Sequence, residues 1–335
     1  MNLEVSGLCE VRVPTFRRPK LLRRALMSLA NQTYANWRCI VFDDCPNGTA
    51  RSIVDNIRDP RILYSRNPTQ LGAIGNIDKS FAKQPFFDGR YAFVLEDDNY
   101  LLPTHIERAI TTLEDNGTKV IFCNQFCEAI NAPDEPGLSW NGQTLDWMYD
   151  SGVNDPNDLL PALLFSHGFS NGAVFWRTDC LSNFQIGNVT TRPEIQESLR
   201  LLRLKDAAYV SLGSTSVWHP TEPKSSLLTH KITLPTLWRA IVNRIQKLRA
   251  ERERITYQST ALKRLGMDGV LAFISNNQIP DFDRFRSARL LAVERSMLLC
   301  GYNVKLTHRG SYRRTGFWLA GFAVRHTMTS LKMDF

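Results

Sequence analysis

The chain has 335 residues, 43% hydrophobic and 22% charged, the proportions of an ordinary globular protein with room for one large domain and an appendage. Its seven cysteines show none of the short pairs of a zinc site, and no basic and then apolar leader opens the sequence, which argues against a disulfide scaffold and favours reduced thiols in the cytosol. The net charge of +8 resides in the C-terminal third without a zinc-finger, helix-turn-helix or RNA-recognition pattern, so nucleic acid is not an expected partner.

The first part of the sequence alternates strand-like and helix-like segments. Short apolar runs bounded by Pro, Gly and Asp predict strands, and apolar residues at helical spacing predict the helices between them. Such alternation favours an α/β fold in which a mostly parallel sheet has right-handed crossovers. In chain order we predict strand Leu8–Val13, a helix with apolar residues from Leu21 to Leu29, strand Trp37–Phe42, a weak strand Arg61–Tyr64, helix Leu71–Ala82, strand Tyr91–Leu95 and helix Thr104–Asn116.

The later part of the sequence contains an irregular stretch and then becomes helical. Residues 132–157 are rich in Pro, Gly, Asn and Asp and lack periodicity, which is typical of a functional loop or lid. From residue 234 onward the pattern predicts helices only. The remaining predicted elements are strand Lys119–Cys123, helix Pro156–His167, strand Gly172–Trp176, helix Pro193–Leu204, strands Tyr209–Leu212 and Thr215–Trp218, and helices Leu237–Leu265 and Phe285–Leu299.

An acidic run follows the most apolar predicted strand. Tyr91–Leu95 has the composition of a strand buried on both faces of a parallel sheet, and Glu96, Asp97 and Asp98 come directly after it. The carboxyl end of such a strand is where open α/β sheets bind ligands. Carboxylates without Cys or His close by suit Mg²⁺ or Mn²⁺ that holds a diphosphate. The alternative is an acidic strand-to-helix turn in which Asp98 or Asn99 caps the next helix.

Five short motifs stand out in the sequence, at Val13–Pro19, Gln32–Tyr34, Val41–Asp44, Glu96–Asn99 and Pro103. Together they resemble the family 2 inverting glycosyltransferases, and the resemblance covers roughly residues 8–226. It implies the GT-A fold, a mostly parallel sheet sandwiched by helices whose first half binds a nucleotide-diphospho-sugar. The implied organisation is a GT-A-like domain at 1–230, divided into a nucleotide-sugar half at 1–117 and an acceptor half at 118–230, and a basic helical C-terminal region at 231–335.

The resemblance also implies a nucleotide site. The Pro14–Phe16 loop lies along the base and ribose in the family, with Phe16 able to cover the base, and Asp44 or its neighbour Asp43 contacts the base or ribose. A proline turn with a core Phe and turn-capping acids are the structural alternatives. The positions that correspond to nucleotide-sugar binding are Pro14, Thr15, Phe16, Asp43, Asp44, Asn67, Gly72, Asn76, Glu96 and Asp97.

Alignment on Pro103 places Glu96 and Asp98 in the two positions of the family's Asp-x-Asp motif. The resemblance implies that Asp98, with Glu96 as partner, holds Mn²⁺ or Mg²⁺, which neutralises the departing diphosphate. His219 corresponds to a family His that can complete a mixed oxygen and nitrogen site, although a lone His before Pro is equally a packing residue. Glu replaces the first Asp and Asn99 replaces a frequent third acid, which leaves the strength of metal binding open.

Inversion requires a base that removes the proton of the acceptor hydroxyl. The family commonly provides an acid at the start of a helix that reads leucine-x-leucine-arginine-leucine-leucine, and residues 194–202 match that helix. Counting back from Leu199 places Glu194 at the base position and Pro193 where an acid is usual. Glu197 is the runner-up, and a helix that carries first-turn acids only for stability is the alternative.

The C-terminal third predicts a cationic amphipathic helix, with an apolar stripe from Leu237 to Leu248 among Arg and Lys. Packing on its own domain is the favoured interpretation. Peripheral contact with anionic lipid, aided by the aromatic and basic tail at 312–319, is the competitor. The longest late apolar run, Phe317–Val324, is too short to span a bilayer, which needs roughly 20 residues.

The sequence therefore predicts a metal-dependent inverting glycosyltransferase, cytosolic or at the inner face of the membrane. The resemblance implies a nucleoside-diphosphate sugar donor and a glycan or lipid-linked glycan acceptor in bacterial surface-polysaccharide assembly. A catalytically silent nucleotide-sugar-binding or membrane-scaffold protein of the same fold is the alternative. A dehydrogenase is disfavoured because no Gly-rich dinucleotide motif follows the first strand.

Overall fold

A computed structural model of the protein describes residues 7–128, 140–145, 149–161, 163, 169–187, 193–219, 252–266 and 269. Its helices are α1 Pro19–Ala30, α2 Arg51–Ile57, α3 Gly72–Ser80, α4 His105–Asp115, α5 Pro193–Leu201 and α6 at 252–266, with a 3-10 turn at Asn171–Ala173. Its strands are β1 Cys9–Thr15, β2 Trp37–Asp43, β3 Ile62–Arg66, β4 Tyr91–Val94, β5 Tyr100–Leu101, β6 Val120–Glu128, β7 Trp140–Gln143, β8 Gly152–Asn154, β9 Val174–Arg177 and β10 Ala208–Trp218. No helix within these ranges combines the length and the apolar character needed to cross a bilayer.

The ten strands of the described residues form one sheet in the order β3-β2-β1-β4-β9-β6-β10-β5, with β7 paired to β6 and β8 to β10. Strands β3, β2, β1 and β4 run parallel, as do β6 and β10, while β9 lies antiparallel between the two sets. The predicted α/β class with a mostly parallel sheet is confirmed. This topology places the carboxyl ends of β1, β2 and β4 at the same end of the sheet.

Apolar layers cover both faces of the sheet. In β4 the side chains alternate, so that Phe93 belongs to the layer with α1 and α4, and Val94 belongs to the layer with α5 and α6. Helix α6 contributes Tyr257 and Leu262 to the second layer. This part of the predicted basic region therefore packs on the sheet. The apolar stripe at 237–248, the tail and the boundary proposed at residue 230 lie outside the described residues.

The structure differs from the predicted elements in several places. Helix α2 and the two-residue strand β5 were not predicted. The prediction of an irregular stretch across 132–157 is wrong for β7 and β8, because these short strands are held by pairing with β6 and β10 and carry no pattern of their own. Strand β10 replaces two predicted strands, since its pairing with β6 shifts register between Ser211 and Ser216 without ending. Within the helix predicted at 156–167, residues 156–160 form turns, and residues 161 and 163 are helical.

A buried ion pair fastens the first strand to the segment before β4. Glu10 and Arg12 are both fully buried, and Arg12 Nη2 lies 3.0 Å from Glu10 Oε2. The Glu10 carboxylate also accepts hydrogen bonds from the backbone N–H groups of Phe86, Phe87 and Gly89 at 3.0, 2.6 and 3.1 Å. These donors replace the hydration that the carboxylate loses on burial.

We expect Glu10→Gln to lower the free energy of unfolding by about 3–5 kcal/mol, because a neutral amide leaves the buried Arg12 guanidinium without its counter-charge. Asp55→Asn is the matched control, since it removes one charge from the exposed Arg51–Asp55 pair on α2. Exposed pairs at this spacing contribute only about 0.3–0.5 kcal/mol. Urea denaturation measures both variants, and equal losses of stability would contradict the role assigned to the buried pair.

Candidate active site

Loops that follow β1, β2 and β4 meet at the carboxyl end of the sheet. Thr15 pairs with Asp43 in the parallel register, so β1 and β2 end at the same level. The Thr15 hydroxyl donates a hydrogen bond to the Asp97 carboxylate at 2.7 Å, and the backbone N–H of Phe16 donates to the same carboxylate at 3.4 Å. The acidic loop after β4 therefore lies directly against the loop after β1.

The acidic loop, residues 96–99, is a tight turn whose carboxylates have different partners. The backbone N–H and the side-chain amide of Asn99 both donate to Glu96, to its carbonyl and its carboxylate respectively, each at 3.1 Å. Arg18 Nη1 donates to Asp97 Oδ1 at 3.1 Å and also to Asp98 Oδ2. Two of the three acids thus share one guanidinium.

Negative charge is crowded in this loop. Desolvation in the cleft, followed by repulsion from Asp98 and Asp97, raises the pKa of Glu96 to about 7. Desolvation and repulsion from Asp98 raise the pKa of Asp97 to about 6 against the opposing effect of Arg18. Carboxyl pKa values raised in this way identify a place where added positive charge is stabilising, which is common in functional sites.

The acidic loop does not cap the following helix. Helix α4 begins after Thr104, which makes no side-chain capping hydrogen bond, and strand β5 separates that residue from the acidic loop. The alternative in which Asp98 or Asn99 is an N-cap is therefore wrong. The physical reason is that β5 pairs with β10, and this pairing delays the helix by five residues relative to Asn99.

The two acids after β2 bind groups of the protein itself. Asp43 accepts hydrogen bonds from the backbone N–H groups of Cys45 and Ala50, both at 2.9 Å, and so shapes the loop between them. Asp44 accepts from the backbone N–H groups of Leu71 and Gly72 at 2.7 and 2.8 Å, which holds the beginning of α3. The turn-capping interpretation describes the contacts that both acids make in this structure.

Three more residues of the predicted nucleotide site, Asn67, Gly72 and Asn76, lie in one network with Asp44. The Asn67 side-chain amide donates to Asp44 and to Asn76 Oδ1, both at 2.8 Å. Gly72 has φ +73°, in the left-handed region that favours glycine, and donates its N–H to Asp44. The structure thus brings these residues into one buried network, while their contact with a nucleotide stays a prediction.

Phe16 and Pro14 occupy contrasting positions at the end of β1. Pro14 is buried within the strand, whereas Phe16 is 38% exposed and the guanidinium of Arg17 lies 4.9 Å from its ring centroid. The alternative of a core Phe is therefore wrong. The ring is open to stacking with a base.

A buried arginine connects helix α5 to the acidic loop. Arg200 is 2% exposed and donates hydrogen bonds to Asn171 Oδ1 and, at 3.3 Å, to Asp78. The backbone N–H and the side-chain amide of Asn171 donate to Glu197 Oε1, both at 3.3 Å. The Asn171 side chain is also hydrogen-bonded to Glu96. Asn171 therefore joins the acid of α5 to the acidic loop, and Arg200 holds Asn171 in place.

The predicted base, Glu194, lies in the first turn of α5. The structure describes its place in the helix, and its side chain lies outside the described part. The first turn of a helix favours an ionised acid because the helix dipole is positive there. Glu197, one turn further on, is held by Asn171. The choice between the two acids stays a prediction.

His219 lies beside the acidic loop and is held by a carboxylate. Its backbone N–H donates to Asn99 Oδ1 at 3.0 Å, and its Nδ1 lies 2.6 Å from Glu128 Oε2. Arg24 Nη1 donates to both oxygens of Glu128 at 3.0 and 3.1 Å, while its Nη2 donates to the backbone oxygen of Asp98 at 2.7 Å. His219, Glu128 and Arg24 thus form a brace on one side of the acidic loop.

Sequence reasoning missed five charged residues of this site. Arg18 and Arg200 stand inside motifs that were recognised, the loop at 13–19 and the helix at 194–202, so their positions contained a usable signal. The other three make their contacts across large sequence separations and belong to no motif. They are Arg24, Asp78 and Glu128.

The predicted metal ligands fit a cation in part. In the described ranges, no group of three or more His, Cys, Asp or Glu side chains is arranged to hold a metal ion. Glu96 and His219 are engaged by other side chains. The Asp98 carboxylate, by contrast, is 14% exposed and already holds a positive group, the guanidinium of Arg18. Because Mg²⁺ is commonly held by one or two carboxylates together with substrate phosphates, Asp98 fits a cation that binds jointly with a diphosphate.

Comparison with known proteins agrees with this geometry. Residues 10–150 match the family model described as glycosyl transferase family 2. An uncharacterized glycosyltransferase of Haemophilus influenzae is 25% identical over 186 residues, which cover 53% of this chain and 54% of the relative. A Campylobacter jejuni protein named GalNAc(5)-diNAcBac-PP-undecaprenol beta-1,3-glucosyltransferase is 35% identical over 93 residues, 27% of this chain and 29% of the relative.

A third relative carries a similar name. The Escherichia coli UDP-Glc:alpha-D-GlcNAc-diphosphoundecaprenol beta-1,3-glucosyltransferase WfaP is 31% identical over 103 residues, 30% of this chain and 39% of the relative. The chain thus spans between 29% and 54% of the length of these curated relatives.

A solved structure shares the fold. S. aureus TarS residues 1–349 in complex with UDP-GlcNAc has a TM-score of 0.51 at 13% identity, and the match covers 87% of this chain and 72% of that one. At this identity the likeness concerns the fold alone. Together with the sheet topology it confirms the predicted GT-A class.

Proposed function

We propose that the protein is an inverting enzyme that moves a sugar from a nucleoside-diphosphate sugar to a glycan hydroxyl, on the premise that residues 10–150 match the family model of glycosyl transferase family 2. The structural likeness to TarS, which was solved with UDP-GlcNAc, supports this donor class. Relatives named for undecaprenol-linked substrates support a lipid-linked glycan acceptor and a role in bacterial surface-polysaccharide assembly. The proposed location is the cytoplasm, at the inner face of the membrane.

One observation carries the proposal. The acidic loop touches the end of β1 through Asp97 and touches the acid-bearing helix α5 through Asn171, so hydrogen bonds connect groups from both predicted halves at this end of the sheet. Transfer requires a donor and an acceptor in contact, and the carboxyl end of a parallel sheet is where such ligands bind.

The proposed chemistry assigns each group one task. Glu194 accepts the proton of the acceptor hydroxyl while that oxygen bonds to the anomeric carbon from the face opposite the leaving group. The bond between the anomeric carbon and the phosphate oxygen breaks, and the electron pair leaves with the nucleoside diphosphate. Phe16 stacks on the base, and Asp44 holds the loop at the start of α3 against the nucleotide.

Charge on the leaving diphosphate requires a counter-charge. We place Mn²⁺ or Mg²⁺ at Asp98, where it supplies electrostatic stabilisation of the departing phosphate oxygens when bound. The protein holds Asp98 in position for this role. Arg24 donates a hydrogen bond of 2.7 Å to the backbone oxygen of Asp98.

We expect a nucleoside diphosphate with Mn²⁺ to raise the thermal midpoint of the wild-type protein and to have no such effect on Asp98→Ala. A ligand at 100 times its Kd stabilises a protein by about 2.7 kcal/mol, which thermal shift detects readily. A panel of UDP, dTDP and GDP, each with and without Mn²⁺, also identifies the nucleobase of the donor.

Asp55→Ala is the control for this measurement, since it removes an exposed carboxylate from α2, outside the cleft. Its response to the ligands should equal that of the wild type. Equal stabilisation of Asp98→Ala would remove Asp98 as the metal residue. Absence of any nucleotide effect on the wild type would contradict the proposed donor class.

A further inference from the structure

Arg18 holds two acids of the acidic loop with one nitrogen. Its Nη1 donates to Asp97 Oδ1 at 3.1 Å and to Asp98 Oδ2, and the two carboxylates are only 8% and 14% exposed. Arg18 itself is 38% exposed and lies at the N-cap of α1, so its side chain reaches the acids from the solvent side. The guanidinium is thus in the position of a counter-ion at the mouth of the loop.

Two neighbouring arginines, Arg24 and Arg17, make their contacts elsewhere. Arg24 donates to both oxygens of Glu128 and to the backbone oxygen of Asp98, and none of these hydrogen bonds reaches the Asp98 carboxylate. Arg17, adjacent in sequence, points to the Phe16 ring and to the Cys45 sulfur. Arg18 is therefore the guanidinium whose contacts overlap with those of a cation on Asp98.

We propose that Arg18 is a resident counter-ion that competes with the divalent cation for the Asp98 carboxylate, and so keeps the affinity of the free protein for metal low. The inference rests on the proposed function, which places the cation at Asp98. A hydrogen bond between Arg and a carboxylate is charge-assisted, and a metal ion that takes the same oxygen must first break it. Diphosphate oxygens that accompany the metal offset this cost, so metal and nucleotide bind together.

The test measures Mn²⁺ binding to the full chain without nucleotide, by loss of the free Mn²⁺ signal in electron paramagnetic resonance. We expect Arg18→Gln to bind Mn²⁺ at least about tenfold more tightly than the wild type. A hydrogen bond to a charged group contributes more free energy than the amount that corresponds to a tenfold change in Kd. Arg18→Lys keeps the charge and should stay closer to the wild-type affinity. Arg17→Gln is the matched control, because it removes the same charge one residue away, and its affinity should change by less than about threefold.

Each outcome decides the inference. Tighter Mn²⁺ binding by Arg18→Gln alone supports it, whereas equal tightening by Arg17→Gln would show a general effect of charge and overturn it. Unchanged or weaker binding by Arg18→Gln also overturns it. Donor binding and sugar transfer are also measured on the wild type. If only the role of Arg18 is wrong, the wild type still binds the donor and transfers the sugar, whereas failure of the proposed function removes both activities. Thermal midpoints of all variants confirm that they are folded.

Discussion

Glu194→Gln is expected to lower kcat for sugar transfer by about 10²–10⁴-fold, while the affinity for the nucleoside diphosphate stays at the wild-type value. The amide is nearly identical in shape to the carboxylate but cannot accept the proton of the acceptor hydroxyl, and general-base catalysis contributes about this factor. The position of Glu194 in the first turn of α5 favours the ionised form that a base requires. Turnover with a radiolabelled donor, together with calorimetric binding of the product nucleotide, measures both quantities.

Glu197→Gln is the matched control on the same helix. Its carboxylate accepts hydrogen bonds from the backbone and the side chain of Asn171, and the carbonyl oxygen of a glutamine can still accept them. We therefore expect a loss of less than about tenfold, far below the factor for a missing base. If Glu197→Gln shows the larger loss, the base is Glu197 and the count from the leucine-arginine motif is displaced by one turn.

Arg200→Met is expected to lower the free energy of unfolding by about 3–5 kcal/mol and to lower transfer as well. Removal of one member of a buried ion pair leaves the other charge uncompensated, which accounts for a loss of this size. The partner left behind is Asp78, which is 5% exposed and also accepts hydrogen bonds from the backbone N–H groups of Ile186 and Gly187 at 2.9 and 2.8 Å. Burial already lowers the pKa of Arg200 to about 10, a sign of the cost of desolvation.

Arg203→Met separates the effect of burial from that of charge. Arg203 follows α5 and is exposed, so the same substitution there should change stability by no more than about 0.5 kcal/mol. Chemical denaturation measures the stability of both variants. Loss of transfer by Arg200→Met at a temperature where the variant is fully folded would show that Arg200 also positions Asn171. A stability change below about 1 kcal/mol for Arg200→Met would contradict the structural role, since one hydrogen bond alone accounts for such a change.

Most of the regular elements followed from local pattern. Strand β4 is a continuous apolar run because both of its faces are buried, and β1 and β2 are rich in apolar residues. Helices α1 and α4 show helical spacing because one face of each packs on the sheet. Strands β5 and β8 did not follow, since two or three residues carry no periodicity and their conformation comes from pairing with β10.

The candidate site divides in the same way. The acidic run, the loop at 13–19 and the helix at 194–202 are local motifs, and their resemblance to a known family indicated the fold. The sequence did not predict which distant residues contact these motifs. Arg24 and Glu128 are 104 residues apart in the chain, and Arg200 and Asp78 are separated by 122 residues.

The sequence by itself determined the fold class and the chemical types gathered at the carboxyl end of the sheet, and its motifs pointed to a known family, because each of these depends on short-range pattern or on motif identity. Only the tertiary structure decided which protein groups engage each carboxylate. Asp43 and Asp44 are occupied by backbone N–H groups, whereas Asp97 and Asp98 are held by Arg18. The physical reason is that a hydrogen bond or an ion pair forms between groups that the packed sheet brings within about 3 Å, whatever their distance along the chain.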